Sequence, residues 1–373
     1  MATTKSPPSH SLQIHRLPQS QYIDAVRFLP AFSGLDRFAV LALFDTHSSS
    51  PSLQIHSLPK STPPSLNLQS SHSLPKSTPP SLNLQSSLSL SSRVSSLSLS
   101  LSAHKPLIAA STFSGSLHIL LLDFDASVQS EFSVPEKSLH VGAISCVDLQ
   151  ESGVECVSVG EDGRVNLVGF GDGSRLTYRR VWDSDGLVSY TAAKWASPTE
   201  FATGGFGFGL QWWDLRKPGG PVSQFKGNWA QRTTSGIVHS IDIHPSRKHT
   251  CLAGGSLGTV FAWDLRWQQQ PIILSGVGTS EVATHSPCES EVWEVKYDPY
   301  MQTSNFGNVS SSRILPAMLC SEDGILAVVE QGEEPIELLA EPCAINSFDI
   351  DRQNPTDVIC SLEWESIAIL SRP

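Results

Sequence analysis

Residues 201–216 read FATGGFGFGLQWWDLR, and residues 251–266 read CLAGGSLGTVFAWDLR. The two stretches align without a gap, so that two glycines coincide and both stretches end in Trp-Asp-Leu-Arg. Each predicts a strand of small residues, a glycine turn, and a second strand whose side chains alternate between two faces. The repeat therefore predicts a fold built from one antiparallel hairpin that is used several times.

Three weaker copies of the hairpin occur elsewhere in the chain. They are AASTFSGSLHILLLD at 109–123, VSVGEDGRVNLVGF at 157–170 and LCSEDGILAVVE at 319–330. An alternating segment such as VHSIDIHPSRK precedes several of the hairpins, and a short segment such as PIILSG follows them. Four strands per unit, with a new unit about every 40–50 residues, are typical of β-propeller blades.

The pattern predicts seven units, and the last unit is one strand short. SLQIHRL at 11–17 can supply the missing strand, because a ring that pairs its first and last strands has no exposed sheet edge. The sequence thus predicts an all-β fold over residues 1–373, a single seven-bladed β-propeller closed by pairing the N-terminal strand with the last blade. The predicted units lie near 21–90, 93–134, 140–182, 187–227, 236–276, 291–341 and 343–373.

Two stretches depart from the blade pattern. HSLPKSTPPSLNLQSS at 56–71 is repeated without change at 72–87. Its proline and serine content disfavours strand pairing, so residues 56–92 are predicted to form a low-complexity duplicated loop within the first blade. Residues 300–313, YMQTSNFGNVSSSR, are predicted to be a polar insertion in the sixth blade.

Composition excludes several classes of function. Hydrophobic residues make up 39% of the chain and charged residues 16%, as expected of a folded protein. Lysine and arginine number 25 against 36 acidic residues, a net charge of −11, so direct binding of nucleic acid is not expected. Nor is membrane insertion expected, because no segment contains the ~18 apolar residues of a membrane span.

No catalytic, cofactor or metal site is predicted. The seven cysteines are widely spaced and form no Cys-x-x-Cys pair, which argues against a disulfide framework or a zinc site. GGSLG at 254–258 has the Gly-x-Ser-x-Gly form of a hydrolase nucleophile elbow. A strand follows Ser256 where the elbow requires a helix, so the segment is predicted to be a hairpin turn.

The hairpins resemble WD repeats, in which a histidine, a serine or threonine, a turn aspartate and a strand tryptophan often hydrogen-bond within a blade. The resemblance implies structural roles for matching residues, although the set is incomplete in each blade. In the third blade Val168 replaces the tryptophan, and in the fifth blade Leu257 replaces the aspartate. The matching residues are His140, Ser158, Asp162, Trp213, Asp214, Trp263, Asp264, Ser321 and Asp323.

From residue 140 onwards, three sequence segments resemble those of one particular family. They are VHSIDIHPSRKHTCLAGGSLGTVFAWDLR at 238–266, ESEVWEVKYDP at 289–299 and LCSEDG at 319–324. The chain is similar to the forty-three-kilodalton WD-repeat nucleoporins of the Y-shaped outer-ring complex of the nuclear pore. The resemblance implies a non-enzymatic scaffold in the nuclear envelope that binds other nucleoporins, especially an α-solenoid nucleoporin, and supports mRNA export and protein import.

A second resemblance predicts another kind of partner. Trp-Asp-x-Arg at the end of consecutive blades is similar to the box by which WD-repeat substrate receptors bind the adaptor of cullin-RING ubiquitin ligases. Under that alternative, Arg216 and Arg266 bind the adaptor; otherwise each arginine pairs with a local acid. Ser6, Thr62 and Thr78 precede proline and are candidate phosphorylation sites.

Overall fold

The computed structural model consists of seven antiparallel sheets of four strands each. Each sheet is built from strands that follow one another in sequence, with one exception: the first strand of the chain belongs to the last sheet. The structure describes residues 11–32, 37–58, 80–170, 176–207, 209–226, 236–264, 272–275, 287–300 and 314–373.

The first half of the chain forms β1 and three complete blades. The first strand is β1 (Gln13–Pro18). The first blade contains β2 (Tyr22–Phe28), β3 (Arg37–Asp45), β4 (Ser50–Leu58) and β5 (Asn83–Ser89). The second contains β6 (Val94–Ser102), β7 (Lys105–Thr112), β8 (Leu117–Leu122) and β9 (Val128–Val134). The third contains β10 (Cys146–Leu149), β11 (Glu155–Val159), β12 (Arg164–Phe170) and β13 (Leu176–Asp183).

The second half forms the remaining four blades. The fourth contains β14 (Tyr190–Ser197), β15 (Glu200–Gly205), β16 (Gly209–Asp214) and β17 (Ser223–Lys226). The fifth contains β18 (Val238–Ile243), β19 (Thr250–Gly255), a 3-10 turn (Ser256–Gly258), β20 (Val260–Asp264) and β21 (Ile272–Ser275). The sixth contains β22 (Val292–Tyr297), β23 (Ala317–Ser321), β24 (Ile325–Val329) and β25 (Ile336–Ala340). The seventh contains β26 (Ile345–Ile350), β27 (Asp357–Leu362) and β28 (Ser366–Ser371).

β1 supplies the fourth strand of the seventh blade. It pairs antiparallel with β28, from Gln13 opposite Ser371 to Pro18 opposite Ser366. The first strands of neighbouring blades contact each other all round the ring, from β2 through β6, β10, β14, β18, β22 and β26 back to β2. The structure thus confirms the predicted seven-bladed β-propeller and its closure by the N-terminal strand.

The hydrophobic core consists of seven clusters, one between each pair of neighbouring blades. Between the seventh and first blades, for example, Ile359 and Ile369 pack with Ile23 and Leu41. Strand alternation places apolar side chains on both faces of each sheet, so every blade contributes to two clusters. Burial of apolar surface between blades is therefore the main source of stability.

The antiparallel strands divide the loops between two faces of the ring. Turns between the first and second strands, and between the third and fourth, lie on one side, which we call the opposite face. The other side, which we call the connection face, carries the turn between the second and third strands of each blade and the connections between blades. Its described loops are 19–21, 46–49, 90–93, 113–116, 135–145, 160–163, 184–189, 206–207, 236–237, 256–259, 287–291, 322–324, 341–344 and 363–365.

The predicted loop at 56–92 is shorter than expected at both ends. Residues 56–58 end β4, and Asn83–Ser89 forms β5, which pairs with β4. Residues 83–89 form a strand because Leu88 packs against the cluster between the first and second blades. The strand also pairs with the main-chain groups at the edge of β4. Residues 59–79 and 301–313 lie outside the described residues, so the loop there and the insertion in the sixth blade stay predictions.

Deleting residues 59–74 should leave the ring intact. The two copies are identical, so the shortened chain keeps every residue that forms β4 and β5. Shortening the connection about threefold lowers its closure entropy by only about 1 kcal/mol. We expect thermal denaturation to give a melting temperature within a few degrees of wild type. A deletion of 83–89, which removes β5, is the control and should lower the melting temperature clearly. If both deletions lowered the melting temperature equally, the duplicated copy would not be surplus.

Candidate functional site

The WD-type residues of the third blade form one buried network. The Nδ1 atom of His140 donates to Asp162 Oδ1 at 2.9 Å, and its Nε2 atom lies 3.1 Å from Ser158 Oγ. Because an ionised carboxylate only accepts, Nδ1 donates to Asp162, while Nε2 lies within hydrogen-bond distance of the Ser158 hydroxyl. Asp162 Oδ2 also accepts from the main-chain N–H of Val141 at 2.8 Å. The network therefore ties the incoming connection to the turn of the blade.

Sequence reasoning missed one member of this network. Asn166 Nδ2 donates to the carbonyl of Leu139 at 3.0 Å and lies 3.1 Å from His140 Nε2. Val168 is buried at the expected tryptophan position and makes no polar contribution. Asn166 lies opposite Ser158 in the sheet. Aligning the two strands of the hairpin in the sequence would have placed these two residues side by side.

The sixth blade has a corresponding hydrogen-bond network formed by different residues. Ser321 Oγ donates to Asp323 Oδ1 at 2.5 Å, and Asp323 Oδ2 accepts from the main-chain N–H of Glu289 at 3.2 Å. Cys288 precedes Glu289 as His140 precedes Val141, so a buried thiol occupies the histidine position. Burial raises the pKa of Cys288 to about 12, and the thiol stays protonated.

The fourth and fifth blades differ in how they satisfy their tryptophans. Trp213 Nε1 donates to Thr203 Oγ1 at 2.9 Å. In the fifth blade, Ala253 occupies the position that Thr203 has in the fourth blade. Each lies two residues after the residue that pairs with the tryptophan in the sheet. Trp263 Nε1 is buried and has no hydrogen-bond acceptor among the described residues. Trp263 therefore contributes packing, against Phe225 and Phe261, without the WD-type hydrogen bond.

Arg216 pairs with acids of its own blade on the opposite face. Its guanidinium donates to both carboxylate oxygens of Asp214, at 2.7 and 2.9 Å, and lies 3.5 Å from Glu200. Glu200 also accepts from Lys248 of the fifth blade at 3.2 Å. The side chain of Arg216 is 63% exposed, so the local pairing leaves one side of it open to solvent. The hydrogen bonds from Arg216 lower the pKa of Asp214.

Main-chain hydrogen bonds join most of the described loops of the connection face into a rim. A turn of one blade bonds to the connection beside it, and this recurs in most blades. Examples of donor and acceptor are Phe113 and Arg93 at 3.0 Å, Tyr190 and Gly160 at 3.2 Å, Phe206 and Ser189 at 3.3 Å, Glu322 and Glu291 at 2.9 Å, and Glu363 and Ala344 at 2.9 Å. The rim makes the connection face a preorganised surface.

No protein-family model matches the chain. The chain is 59% identical over 376 residues to the nuclear pore complex protein NUP43 of Arabidopsis thaliana, an alignment that covers 97% of this chain and 98% of that protein. The chain belongs to the nucleoporin Nup43 family. Nucleoporin Nup43 of Homo sapiens is 28% identical over 181 residues, 48% of this chain and 40% of the human protein. Nucleoporin Nup43 of Mus musculus is 28% identical over 199 residues, 52% of this chain and 45% of the mouse protein.

Membership of the Nup43 family confirms the resemblance to nucleoporins and the expected location at the nuclear pore. Several predicted site residues lie outside the described residues: Arg266, Ser6, Thr62 and Thr78. Their roles in adaptor binding and phosphorylation stay predictions. Asp264, at the end of β20, is described and half-buried.

Ser256, the serine of the Gly-x-Ser-x-Gly segment, helps to hold a turn in this Nup43-family chain. It is buried in the 3-10 turn, and its Oγ atom accepts from the main-chain N–H of Ile237 at 3.1 Å. Within the described ranges, no group of three or more histidine, cysteine or acidic side chains can hold a metal ion. Over the same part of the chain, no helix is long and apolar enough to cross a membrane. The expected lack of catalysis and metal binding stays a prediction.

Sequence reasoning also missed a ring of polar side chains on the innermost strands. Aligning the first strands gives seven tetrapeptides: AVRF (25–28), SLSL (96–99), CVDL (146–149), AAKW (192–195), SIDI (240–243), EVKY (294–297) and SFDI (347–350). The third residues alternate in charge around the ring: Arg27, Ser98, Asp148, Lys194, Asp242, Lys296 and Asp349. Lys194 donates to Asp148 at 3.0 Å and Lys296 to Asp349 at 2.6 Å.

The acidic members of this ring also bind main-chain groups of the next blade. Asp148, Asp242 and Asp349 accept from the N–H groups of Trp195, Tyr297 and Phe28, at 2.8, 2.9 and 2.8 Å. Burial acts to raise the pKa of Asp349, but Lys296 and Arg27 outweigh burial and hold the pKa below its ordinary value. The ring therefore links the first strands of neighbouring blades through hydrogen bonds between side chains and main chain.

Ala253→Ser should supply the acceptor that Trp263 lacks. A serine hydroxyl at the position of Thr203 would accept from the indole N–H, so we expect the free energy of unfolding to rise by about 0.5–1.5 kcal/mol in urea denaturation. In a Trp263→Phe background the gain should vanish, because the donor is gone. The same gain in both backgrounds would show that the hydroxyl acts elsewhere.

Asp162→Ala should destabilise the protein in a pH-dependent way. The variant leaves His140 and the N–H of Val141 without their acceptor, so we expect a loss of about 2–3 kcal/mol at pH 7. Burial raises the pKa of Asp162, but the hydrogen bonds from His140 and Val141 outweigh it and the net pKa is lowered. A lowered carboxyl pKa stabilises the fold fully above the ordinary value, and this contribution disappears as pH falls through the folded-state pKa.

Unfolding of wild type and Asp162→Ala at a series of pH values should therefore give curves that begin to converge below about pH 4 and approach each other further as pH falls through the folded-state pKa. Glu161→Ala, at the exposed neighbouring position, is the control and should change stability by less than about 0.5 kcal/mol. A constant difference at all pH values would mean that the carboxylate charge of Asp162 plays no part.

Proposed function

We propose that the protein is a non-enzymatic scaffold subunit of the outer-ring Y complex of the nuclear pore. In this role it binds other nucleoporins, in particular an α-solenoid nucleoporin, and supports mRNA export and protein import by building the ring. The observation that carries the proposal is 59% identity over 97% of the chain to the nuclear pore complex protein NUP43 of Arabidopsis thaliana.

The fold supports a scaffold role on physical grounds. Seven interblade clusters and the closing β1–β28 pair make a ring in which the seventh blade has four strands like the other six. The polar ring on the first strands ties neighbouring blades through hydrogen bonds between side chains and main chain. Such a body presents loops in fixed positions, so a partner can bind without ordering them.

The electrostatic balance supports a protein partner. The net charge of −11 repels a nucleic-acid backbone. The pairing of Arg216 with Asp214 and Glu200 gives the arginine of the Trp-Asp-Leu-Arg box in the fourth blade a role without an external adaptor. We therefore expect no stable cofactor, metal or RNA in the purified protein.

Affinity purification of the tagged full-length protein from nuclear envelopes tests the proposal. After gentle extraction, mass spectrometry should identify outer-ring nucleoporins, including an α-helical one, among the enriched proteins. Their absence would refute the scaffold role.

A double variant, Arg216→Ala with Arg266→Ala, separates the scaffold from the ubiquitin-ligase alternative in the same assay. Capture of nucleoporins should stay within about twofold of wild type, since surface pairs contribute little. Arg180→Ala, which removes another exposed and locally paired arginine, is the matched control. Enrichment of a cullin adaptor by wild type and its loss in the double variant would favour the ligase receptor instead.

A further inference from the structure

The connection face differs from the rest of the surface in its exposed apolar side chains. Half of the large hydrophobic residues that are exposed in the described part of the chain lie on its loops. They are Phe113, Val141, Leu187, Phe206, Leu257 and Trp364. The opposite face has Phe124, Val154 and Val222. Exposed apolar groups concentrated on one face of a folded protein mark an interaction surface.

The apolar loops occur in neighbouring parts of the ring. The turn that carries Phe113 meets the connection that carries Val141, since a Cβ atom on Gly115 would lie 2.2 Å from the carbonyl oxygen of Gly142. The turn that carries Phe206 bonds to Ser189, two residues from Leu187. The turn with Leu257 bonds to Ile237, which itself bridges to Phe206. The side chains from the second to the fifth blade therefore follow a continuous arc.

Leu257 gives an independent indication that this face has a partner. Its φ of 59° lies in the left-handed region, which a branched side chain adopts at a cost and which glycine or asparagine tolerates. The side chain is 59% exposed, so packing within the chain does not compensate for the backbone conformation. A strained residue that presents an apolar side chain to solvent is consistent with selection for binding.

Charge distinguishes the two faces and indicates the chemistry of the partner. Six exposed acidic residues lie on described loops of the connection face: Glu136, Glu161, Asp185, Glu289, Glu322 and Asp323. On the described loops of this face the exposed lysine is Lys137 and the exposed histidine is His47, while Arg93 is held by Asp24 at 2.5 Å. On the opposite face, by contrast, exposed acids such as Glu151 and Glu334 are matched by exposed bases such as Lys217 and Arg352.

We infer that the connection face binds an α-helix of the partner nucleoporin that carries both apolar and basic side chains; the inference rests on the proposed function. An amphipathic helix places apolar residues along one stripe, which fits an arc of apolar turns. Lysine and arginine flanking the stripe would meet the acidic residues and accelerate association. A second copy of this chain, or a nucleic acid, would bring like charges together on this face.

The test compares two sets of three substitutions, each of which replaces exposed apolar side chains by polar ones. The connection-face set is Phe113→Ser, Leu187→Ser and Leu257→Asn, all on the arc, and the opposite-face set is Phe124→Ser, Val154→Ser and Val222→Ser. Leu257→Asn also suits a left-handed backbone, so it should not lower the melting temperature. The probe is the α-helical outer-ring nucleoporin captured by the wild-type protein, produced as a recombinant protein and titrated by calorimetry.

The connection-face set should weaken binding of this probe at least about tenfold, because a few residues at the centre of an interface carry most of the binding energy. The opposite-face set should change the Kd less than about twofold. Melting temperatures of both sets are measured in parallel, so that a loss of binding by a folded variant is separated from misfolding. Loss of binding in the opposite-face set alone would overturn the inference.

Charge reversal tests the basic character of the partner. Glu161→Lys with Glu322→Lys should weaken binding most at low ionic strength, since screening reduces the effect. Glu151→Lys with Glu334→Lys on the opposite face is the control. Carbodiimide cross-linking, which joins carboxylates to lysine amines, should connect Glu136, Glu161 or Asp185 to lysines of the probe. Cross-links confined to the opposite face would contradict the inference.

The two proposals fail in different ways. If the wild-type protein captures no outer-ring nucleoporin, the proposed function is wrong and the inference falls with it. If the wild-type protein captures the α-helical nucleoporin and the connection-face variants bind it equally well, the function stands and the inference alone is wrong.

Discussion

The pairing of β1 with β28 is the contact on which the whole ring depends. The two strands come from opposite ends of the sequence, and their register runs from Gln13 with Ser371 to Pro18 with Ser366. Without this pair the seventh blade would have three strands and an open edge, and Leu17 would leave the cluster between the seventh and first blades. A buried pair between Arg372 and Asp298 holds the residue after β28 against the sixth blade. This pair reinforces closure directly after β28.

A ring of seven blades imposes a second constraint, because an odd number of positions cannot alternate in charge without a mismatch. The innermost strands resolve it with one neutral residue. Ser98 stands between Arg27 and Asp148 and donates to Asp148 Oδ1 at 3.1 Å, so no two like charges are neighbours in the ring. Arg27 is further paired with Glu294 at 2.8 Å. These largely half-buried side chains link neighbouring blades through ion pairs and hydrogen bonds.

The WD-type networks are less uniform than the fold they support. The third blade keeps the histidine, serine and aspartate, the fourth keeps the tryptophan bonded to Thr203, and the fifth keeps a tryptophan without an acceptor. The blades nevertheless have the same four strands, since interblade burial contributes more than any single hydrogen bond. Each retained network instead determines the position of one turn, and through the main-chain bonds of the rim it contributes to the shape of the connection face.

The sequence by itself determined the all-β class, the number of blades, their approximate bounds and the strand that closes the ring. Alternating hydrophobicity and repeated turns are local patterns, so they can be read along the chain. The His140, Ser158 and Asp162 network could also be predicted, because the WD pattern specifies its members. The extents of β4 and β5 could not be predicted from the sequence. The segment NLQSSLS alternates only weakly and lies in a proline-rich duplication, so it forms a strand because it pairs with β4.

Only the tertiary structure decided which side chains share a surface. Phe113, Leu187 and Trp364 are far apart in sequence, and their turns have no common motif. They belong to one face because antiparallel strands return every such turn to the same end of its blade. The charge ring has the same origin: its members are one per blade, and only closure makes Arg27 and Asp349 neighbours. Local sequence specifies the blades, whereas the surface that a partner meets depends on the order in which the ring brings them together.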